Sequence, residues 1–362
     1  MKAGARAPHT LLCPLLILLG LAVMSGPASA VTQYTITDLG TLGADTTAYD
    51  VSATGQVVGD SYDEHVRPRA FLWQNGVMQD LGDLGGRQSR ARGINASGQV
   101  VGGAYTSSDD IHAFLWQDGV MQDLGTLGGT DSNALAIDDL GRIVGWACPA
   151  GTSASHAFLW ENGEMQDLGT LGGFISSAMD INVSGQVAGY SSTSGNDIHA
   201  FLWQDGIMQD LGTLGGSDSF AERMNASGQV VGRAHNASDV LRPFLWEDGT
   251  MQDLGTLGGS SGKAWGINAL GQVVGTAYTA DEKSHAFLWE NGVMYDLNDF
   301  LPDDSGWVVQ SALAINDLGQ IVGGGVHDGH PRAFLLTPIP EPSTIGLLGL
   351  AFLVVMRRFR QR

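Results

Sequence analysis

Short apolar runs separated by turn residues recur along the chain at an almost constant interval. The tripeptide Phe-Leu-Trp, or a close relative, occurs seven times, and consecutive copies begin 43, 44, 43, 43, 43 and 47 residues apart. A period in the low forties is typical of repeat architectures such as β-propellers. The copies begin at Phe71, Phe114, Phe158, Phe201, Phe244, Phe287 and Phe334.

One period contains four short strand-like runs, which are Ala134–Asp138, Arg142–Ala147, Ala157–Trp160 and Glu164–Leu168. Turn residues separate them, and the pair Asn162-Gly163 stands between the last two. Asn-Gly and Asp-Gly pairs tolerate the positive φ angles of the two-residue turns that join antiparallel strands. Four short strands per repeat predict one blade of a propeller.

The count of strands predicts how the ring closes. Three kinds of strand occur seven times, but only six copies of the fourth follow a Phe-Leu-Trp run. The seventh copy, Tyr34–Leu39, precedes the first complete repeat, whereas Phe334–Leu336 leads into a Pro-rich tail. We expect the N-terminal strand to complete the last blade and remove its free edges. The sequence therefore predicts an all-β, seven-bladed propeller of four-stranded blades over residues 31–337.

Hairpin register predicts a polar contact in each blade. With Asp118-Gly119 as the turn, Phe114 falls opposite Asp123, and His112 lies diagonally across from Asp123 on the same face. Other copies place Arg where His112 stands, and a guanidinium donates hydrogen bonds but does not coordinate a metal. We therefore expect structural pairs in place of a metal site. The representative pairs are His112–Asp123, His199–Asp210 and Arg332–Asp38.

The N-terminus carries an export signal. Lys2 and Arg6 precede the apolar run Leu11–Met24, and the small residues Ala28 and Ala30 follow at the cleavage positions. This order is typical of a secretory signal peptide. We expect residues 1–30 to be the leader, removed after Ala30.

The C-terminus carries a second signal. Pro340-Glu341-Pro342 leads into the apolar stretch Ile345–Met356, and four of the last six residues are Arg. Twelve residues span about 18 Å as a helix, which is short of the hydrocarbon core of about 30 Å. The basic cluster should stay cytoplasmic and leave the body outside. Residues 338–362 therefore predict a short transmembrane helix over 345–356 with a basic tail, which would be a membrane anchor.

This tail resembles the PEP-CTERM sorting signal of Gram-negative bacteria. In that family exosortase, a membrane transpeptidase-like enzyme, recognises the motif that corresponds here to Pro340, Glu341 and Pro342. The resemblance implies that exosortase is a partner and that the protein is exported through the inner membrane. It also implies a cell-surface or extracellular location after tail processing, and an association with exopolysaccharide or biofilm.

The repeats look like the HAF repeats of bacterial extracellular proteins. They contain His-Ala-Phe-Leu-Trp, Asp-Leu-Gly-Thr-Leu-Gly-Gly and Ile-Asn-x-x-Gly-Gln-Val-Val-Gly over most of residues 34–336. Pro243 replaces Ala in the fifth copy, and Leu336 replaces Trp in the last. This resemblance implies an extracellular propeller and carries no catalytic or binding residues to transfer.

The exported body is strongly acidic. Of the 18 Lys and Arg, two lie in the leader and four in the last six residues, which leaves 12 against 38 Asp and Glu. The body therefore carries a net charge of about −26. Nucleic acid is excluded as a partner because its binding depends on cations that neutralise phosphates.

Loops on one face of the ring vary in sequence, and binding is expected there. The longest insertion, Leu301–Gln310, contains Asp303, Asp304 and Trp307. These residues could stack a sugar ring or help to hold Ca²⁺, and the alternative is an ordinary solvated loop. Because no Asp-x-Asp-x-Asp-Gly loop is present, no metal or cofactor is predicted.

Two classes of function remain. A repeat spreads the same residues evenly, whereas catalysis needs one asymmetric cluster, so we predict a non-catalytic protein. It would bind exopolysaccharide or other surface proteins at the cell surface or in the extracellular matrix. The alternative is a polysaccharide-active enzyme, a glycosidase or lyase, because propellers also host such enzymes.

Overall fold

A computed structural model describes residues 33–339 of the chain. These residues form 28 β-strands and one 3₁₀ helix, and the strands make seven four-stranded antiparallel sheets. The predicted signal peptide, the Pro-Glu-Pro motif and the transmembrane segment 345–356 lie outside the described residues. Within them, no helix has the length and apolar character needed to cross a membrane.

Each sheet is one blade. Blade 1 contains β2 Thr46–Val51, β3 Val57–Tyr62, β4 Pro68–Gln74 and β5 Val77–Asp80. Blade 2 contains β6 Gly85–Ile94, β7 Val100–Thr106, β8 Ile111–Gln117 and β9 Val120–Asp123. Blade 3 contains β10 Gly128–Ile137, β11 Ile143–Pro149, β12 His156–Glu161 and β13 Glu164–Asp167. Blade 4 contains β14 Gly172–Ile181, β15 Val187–Thr193, β16 Ile198–Gln204 and β17 Ile207–Asp210.

The remaining blades follow the same order. Blade 5 contains β18 Gly215–Met224, β19 Val230–Asn236, β20 Leu241–Glu247 and β21 Thr250–Asp253. Blade 6 contains β22 Gly258–Ile267, β23 Val273–Thr279, β24 Ser284–Glu290 and β25 Val293–Asp296, and the 3₁₀ helix Leu297–Phe300 follows it. Blade 7 contains β26 Trp307–Ile315, β27 Ile321–His327, β28 His330–Pro338 and the N-terminal strand β1 Tyr34–Asp38.

The first strand of every blade is its innermost strand. Each contacts the first strands of both neighbouring blades, and β2 contacts β26, so the seven sheets form a closed ring around a central channel. In blades 1–6 the strands follow one another outward in chain order, and in blade 7 β26, β27 and β28 are followed by β1 as the outermost strand. The predicted seven-bladed propeller of four-stranded blades is confirmed.

The ring closes through the N-terminal strand, as the sequence predicted. β1 pairs antiparallel with β28, with Thr37 opposite Leu335 and Asp38 opposite Phe334. Tyr34 is 2% exposed, and it packs in the apolar core of the last blade. β1 therefore covers the strand edge that β28 would otherwise present to solvent.

The repeated residues build the apolar core of each blade. All seven Phe side chains of the Phe-Leu-Trp strands are fully buried. The repeated glycine of the second strand allows this packing, because a Cβ at Gly59 would lie 1.9 Å from the Thr47 carbonyl oxygen and 2.9 Å from the Phe71 ring. The hairpin that follows needs positive φ angles, and Asn75 and Gly76 adopt 52° and 82°.

The first strands are longer than the sequence predicted. In blade 3 the strand is Gly128–Ile137, whereas the predicted run began at Ala134. Its early part pairs Gly128 with Pro149, with register shifts before Ser132. A Cβ at Gly129 would lie 2.4 Å from the Cys148 carbonyl oxygen, so the second glycine of Leu-Gly-Gly allows close strand packing. It does not serve only as part of a turn.

Candidate functional site at the central channel

The predicted His–Asp residues lie together in the outer part of the blades. His112 Nδ1 is 2.8 Å from an Asp123 carboxylate oxygen, and His199 Nδ1 is 2.7 Å from Asp210. Asp123 also accepts a hydrogen bond of 2.8 Å from the Gly125 N–H. These contacts join the third and fourth strands of a blade and hold the start of the loop that leads to the next blade. They lie in the outer strands of each blade, away from the channel, and both predicted pairs are in contact.

The closing blade departs from this pattern. Arg332 Nε lies 3.6 Å from Asp38 Oδ2, which is an ion-pair distance without a hydrogen bond. His327 Nδ1 approaches the same oxygen at 3.4 Å. Asp38 therefore faces two potential cations across the seam of the ring.

Trp307 is buried and does not offer a ring face on which a sugar could stack. Its side chain is 9% exposed, stacks on the His327 ring at 4.7 Å and meets the Phe334 ring edge-on at 6.0 Å. Asp303 and Asp304 are exposed on the preceding loop. Across residues 33–339, no group of three or more His, Cys, Asp or Glu is placed to hold a metal ion. The alternative of sugar stacking by Trp307 is wrong, because this tryptophan belongs to the core of blade 7.

In each blade, one of the side chains that do not repeat lines the channel. Three positions in each blade differ from copy to copy, and two of them flank the buried Ala of the first strand. The residues before this Ala are Thr47, Arg90, Asn133, Ser177, Phe220, Lys263 and Ser311. The residues after it are Tyr49, Arg92, Leu135, Met179, Glu222, Trp265 and Leu313. The third position follows the repeated glycine of the second strand, and its residues are Asp60, Gly103, Trp146, Tyr190, Arg233, Thr276 and Gly324.

The channel contains three successive cavities. The lower cavity, about 260 Å³, is lined by the residues at the ends of the first strands. The middle cavity is about 140 Å³, and the upper cavity is about 270 Å³. We call the lining of the upper cavity the upper mouth; its residues are Tyr49, Arg92, Leu135, Met179, Glu222, Arg223, Trp265 and Leu313.

The lower cavity is lined by a structural hydrogen-bonded ring. Asn225 Oδ1 accepts from the Ser227 and Gln229 N–H groups of its own turn, each at 3.1 Å. Its Nδ2 donates to the Asn268 carbonyl oxygen of the next blade at 3.2 Å. Asn95, Asn182, Asn268 and Asn316 make the same kind of link between blades. The repeated Ile-Asn motif therefore closes turns and joins neighbouring blades.

Blade 3 makes this link with a different pair of residues. Asp138 replaces Asn there and has no donor for the neighbouring carbonyl. Arg142 binds the Asp138 carboxylate through Nε at 2.7 Å and donates from Nη2 to the Asn182 carbonyl oxygen at 3.1 Å. The Asp-Arg pair thus performs the function that Asn-Gln performs in blades 2, 4, 5, 6 and 7, whereas blade 1 has Ser52 at this position.

A charged triad crosses the middle of the channel. Arg223 of blade 5 lies 3.6 Å from Asp50 of blade 1 and 3.8 Å from Asp180 of blade 4. Asp50 also accepts from the Ile94 N–H at 3.0 Å, and Asp180 accepts from the Met224 N–H at 2.8 Å. Both bonds tie a blade to the next one. The triad therefore separates the upper mouth from the lower cavity.

Burial perturbs the protonation of this triad. Burial raises the pKa of Asp180 to about 6, although the Arg223 charge opposes this shift. Burial also raises the pKa of Asp50. For Arg223 the two carboxylates outweigh burial and raise its pKa, so the guanidinium stays charged. Both carboxyl groups of the triad therefore hold a proton more tightly than an exposed Asp does.

One side of the upper mouth combines Tyr49, Arg92 and buried Asp60. The Arg92 guanidinium lies 4.1 Å from the centroid of the Tyr49 ring, and among the described residues its buried Nε has no hydrogen-bond partner. Asp60 is 2% exposed, and Arg90 approaches it only to 3.9 Å. Burial raises the pKa of Asp60, and the Arg90 charge opposes that shift.

The opposite side of the upper mouth is built around Trp265. The Arg233 guanidinium contacts Glu222 and lies 4.4 Å from the Phe220 ring centroid and 5.5 Å from that of Trp265. Lys263 Nζ lies 5.7 Å from the Trp265 centroid. Burial lowers the pKa of Lys263, and the nearby Arg233 charge lowers it further.

The sequence contains a signal for this site that lies outside its recognisable motifs. The variable residues stand inside the repeated strands, where they interrupt an otherwise regular pattern. Strand alternation shows that such residues share a face but does not show which strand lies next to the axis. The prediction placed binding at the variable loops. In the structure, the variable residues that follow the buried Ala of each first strand line the upper cavity.

The C-terminal tail has a match among protein families. Residues 338–361 match the family model of the PEP-CTERM protein-sorting motif. The chain carries an exosortase sorting signal. This signal implies recognition by exosortase and export to the cell envelope or surface, so the propeller is the scaffold of an exosortase-sorted extracellular protein. A comparison with curated proteins gives no match.

Several solved structures resemble the propeller. A puromycin-hydrolyzing peptidase of Mycobacterium tuberculosis matches 85% of this chain and 55% of its own at 12% identity, with a TM-score of 0.55. YCF48 bound to D1 peptide matches 86% of this chain and 96% of its own at 11% identity, with a TM-score of 0.52. An acylaminoacyl peptidase of Pyrococcus horikoshii matches 87% of this chain and 55% of its own at 11% identity, with a TM-score of 0.50.

These likenesses concern architecture. The chain spans about half the length of each peptidase, and 52% of the length of TolB from Acinetobacter baumannii, with which the TM-score is 0.41. The identities of 11–12% with the two peptidases and YCF48 show a shared fold alone. The activity must be argued from the residues at the channel.

Proposed function

We propose that this chain is a non-catalytic binding propeller of the cell surface or extracellular matrix, built from HAF repeats and sorted by exosortase. The observation that carries the proposal is the location of the variable side chains. One variable residue from each of the seven blades lines the upper mouth, whereas the repeated side chains hold the ring together. A constant scaffold that presents one variable, concave surface suits recognition.

The repeated polar groups have little capacity left for a ligand. The side-chain amide of Asn225 is hydrogen-bonded to its own turn and to the next blade. The Asp123 carboxylate is hydrogen-bonded to His112 and to the Gly125 N–H. Side chains such as Arg92 and Trp265 differ from their counterparts in the other blades and line the same cavity. Recognition would therefore depend on the variable residues.

The carboxylates near the channel favour binding over catalysis. Asp50 and Asp180 both accept backbone N–H bonds and face Arg223, so their oxygens hold the ring. Asp60 and Glu222 are 2% and 7% exposed. A glycosidase needs two carboxyl groups that flank a substrate bond from opposite sides. These four acids are instead engaged with the protein or buried in it.

A polysaccharide-active enzyme is the second candidate, and one observation favours it. The pKa of Asp180 is raised to about 6, and a raised carboxyl pKa is what a general acid requires. In this alternative Asp180 would protonate a leaving group that entered the channel from the upper mouth.

Binding and cleavage can be separated in one experiment. The full chain, purified from a Gram-negative host that contains exosortase, is applied to a polysaccharide array and then incubated with each bound polysaccharide. We expect retention without new reducing ends, and we expect Trp265→Ala to reduce retention at least tenfold. Lys283→Ala, which changes an exposed loop residue, is the matched control. New reducing ends that disappear in Asp180→Asn would establish the enzyme and refute the binding proposal.

A further inference from the structure

The cations of this acidic protein are concentrated at the channel. The exported body has 12 Lys and Arg against 38 Asp and Glu. Five of these 12 lie in or beside the upper half of the channel, where the variable positions meet. They are Arg90, Arg92, Arg223, Arg233 and Lys263.

The charged residues that line the upper mouth are two cations, Arg92 and Arg223, and one acid, Glu222, which contacts Arg233. Asp60 and Glu222 are buried, whereas the Arg90 side chain is 46% exposed and Lys263 is half-buried. The surrounding body repels anions at long range, but a local cluster of cations within a concave, poorly solvated site acts strongly at short range. The accessible charge at the mouth is thus opposite in sign to that of the body.

Two of the cations are held in place without a close carboxylate partner. Arg92 stacks on the Tyr49 ring at 4.1 Å, and among residues 33–339 no Asp or Glu oxygen lies within ion-pair distance of it. Its buried Nε also has no hydrogen-bond acceptor. Lys263 lies beside Trp265 and near Arg233, whose positive charge opposes its own. An anion in the cavity would pair with the Arg92 guanidinium and relieve the repulsion between Lys263 and Arg233.

We propose that the upper mouth binds the carboxylate of an acidic sugar residue of a polysaccharide, with Arg92 of its lining and Lys263, which lies beside Trp265 of that lining, as the anion-binding groups. This inference rests on the proposed function and names its ligand class. A guanidinium presents N–H groups in the fork geometry that suits a carboxylate. The cavity of about 270 Å³ is near the lower end of small-ligand sites, so it suits one sugar unit at a chain end or branch.

The test compares one polymer with and without its charge. The full chain, purified from an exosortase-containing host, is titrated by calorimetry with oligogalacturonate and with the same oligosaccharide in its methyl-esterified form. We expect the esterified ligand to bind at least tenfold more weakly. We expect Arg92→Gln and Lys263→Gln each to weaken binding of the charged ligand at least tenfold. Lys283→Gln removes an exposed cation of blade 6 and should leave binding within twofold.

Each other result overturns the inference. Equal binding of the esterified ligand would show that the carboxylate is not recognised, but it would leave polysaccharide binding intact. An equal loss in Lys283→Gln would show general attraction of charge without a site. Failure to bind either ligand, combined with retention of neutral polysaccharides on the array, would also refute only the inference. Failure on the whole array would refute the proposed function as well. Should Arg92→Gln fail to fold, the half-exposed Lys263→Gln carries the test.

Discussion

The bond between Asn225 and blade 6 can be tested by copying the solution found in blade 3. Asn225→Asp keeps the oxygen that accepts from the Ser227 and Gln229 N–H groups. It removes the Nδ2 donor to the Gln229 side chain at 2.6 Å and to the Asn268 carbonyl at 3.2 Å. It also places a carboxylate oxygen against that carbonyl in a position that is 5% exposed.

The expected loss follows from these two bonds. A buried polar group left without its partner costs about 1–3 kcal/mol, so Asn225→Asp should lower the free energy of unfolding by about 3 kcal/mol. The double variant Asn225→Asp with Gln229→Arg reproduces Asp138 and Arg142. Because Arg142 binds its carboxylate and the next carbonyl together, we expect the second substitution to recover about 2 kcal/mol, within the usual range for coupled neighbours.

Urea unfolding of the wild type, both single variants and the double variant measures this coupling. Gln229→Arg alone is the matched control, and it should be destabilising because Asn225 offers its Nδ2 where a carboxylate is needed. The reasoning is refuted if the double variant loses the sum of the two single losses to within about 0.5 kcal/mol, which is the usual limit of additivity.

Three further predictions concern the seam, the triad and the tail. Tyr34→Ala should lower the free energy of unfolding by about 3–5 kcal/mol and speed amide hydrogen exchange in β28, because it leaves a cavity at a buried position. The control is Thr35→Ala, which changes an exposed residue and should lower the free energy of unfolding by less than about 0.5 kcal/mol. The raised pKa of Asp180 means that the native state binds its proton more tightly than the unfolded state, so this residue's contribution to stability falls as pH rises from about 4 through about 6. Thermal unfolding across that pH range should show a smaller decline in stability for Asp180→Asn than for the wild type. An unchanged decline would show that other groups cause it. Glu341→Ala should abolish tail processing in an exosortase-containing host, and intact-mass spectrometry would detect the retained residues; normal processing would exclude the motif.

The fold could be predicted because its determinants are local and repeated. The turn at Asp118-Gly119 sets the hairpin register, and the observed pairing of Phe114 with Asp123 follows from it. The unpaired seventh copy at Tyr34–Leu39 has one vacant partner in the chain, which is the strand at Phe334. Periodicity and the avoidance of free edges were sufficient to predict seven blades and their closure.

The channel could not be predicted in the same way. Arg92 and Trp265 are far apart in sequence, and they share a cavity only because the first strand of each blade is the innermost. Trp307 shows the opposite error. Beside Asp303 and Asp304 it suggested a ligand platform, but the contact that decides its role is with Phe334 of β28, a residue whose proximity depends on the sheet.

The exit of the chain from blade 7 has a mechanical consequence. β28 is hydrogen-bonded to β27 on one side and to β1 on the other, and the Ile339 N–H extends the second ladder by donating to the Gln33 carbonyl at 2.8 Å. A pull on the chain beyond Pro338 would load both ladders along their length, so many bonds would have to break together. β1, which completes the ring, therefore also strengthens the attachment of β28. In a surface-tethered protein, this is where a pulling force on the tail would act.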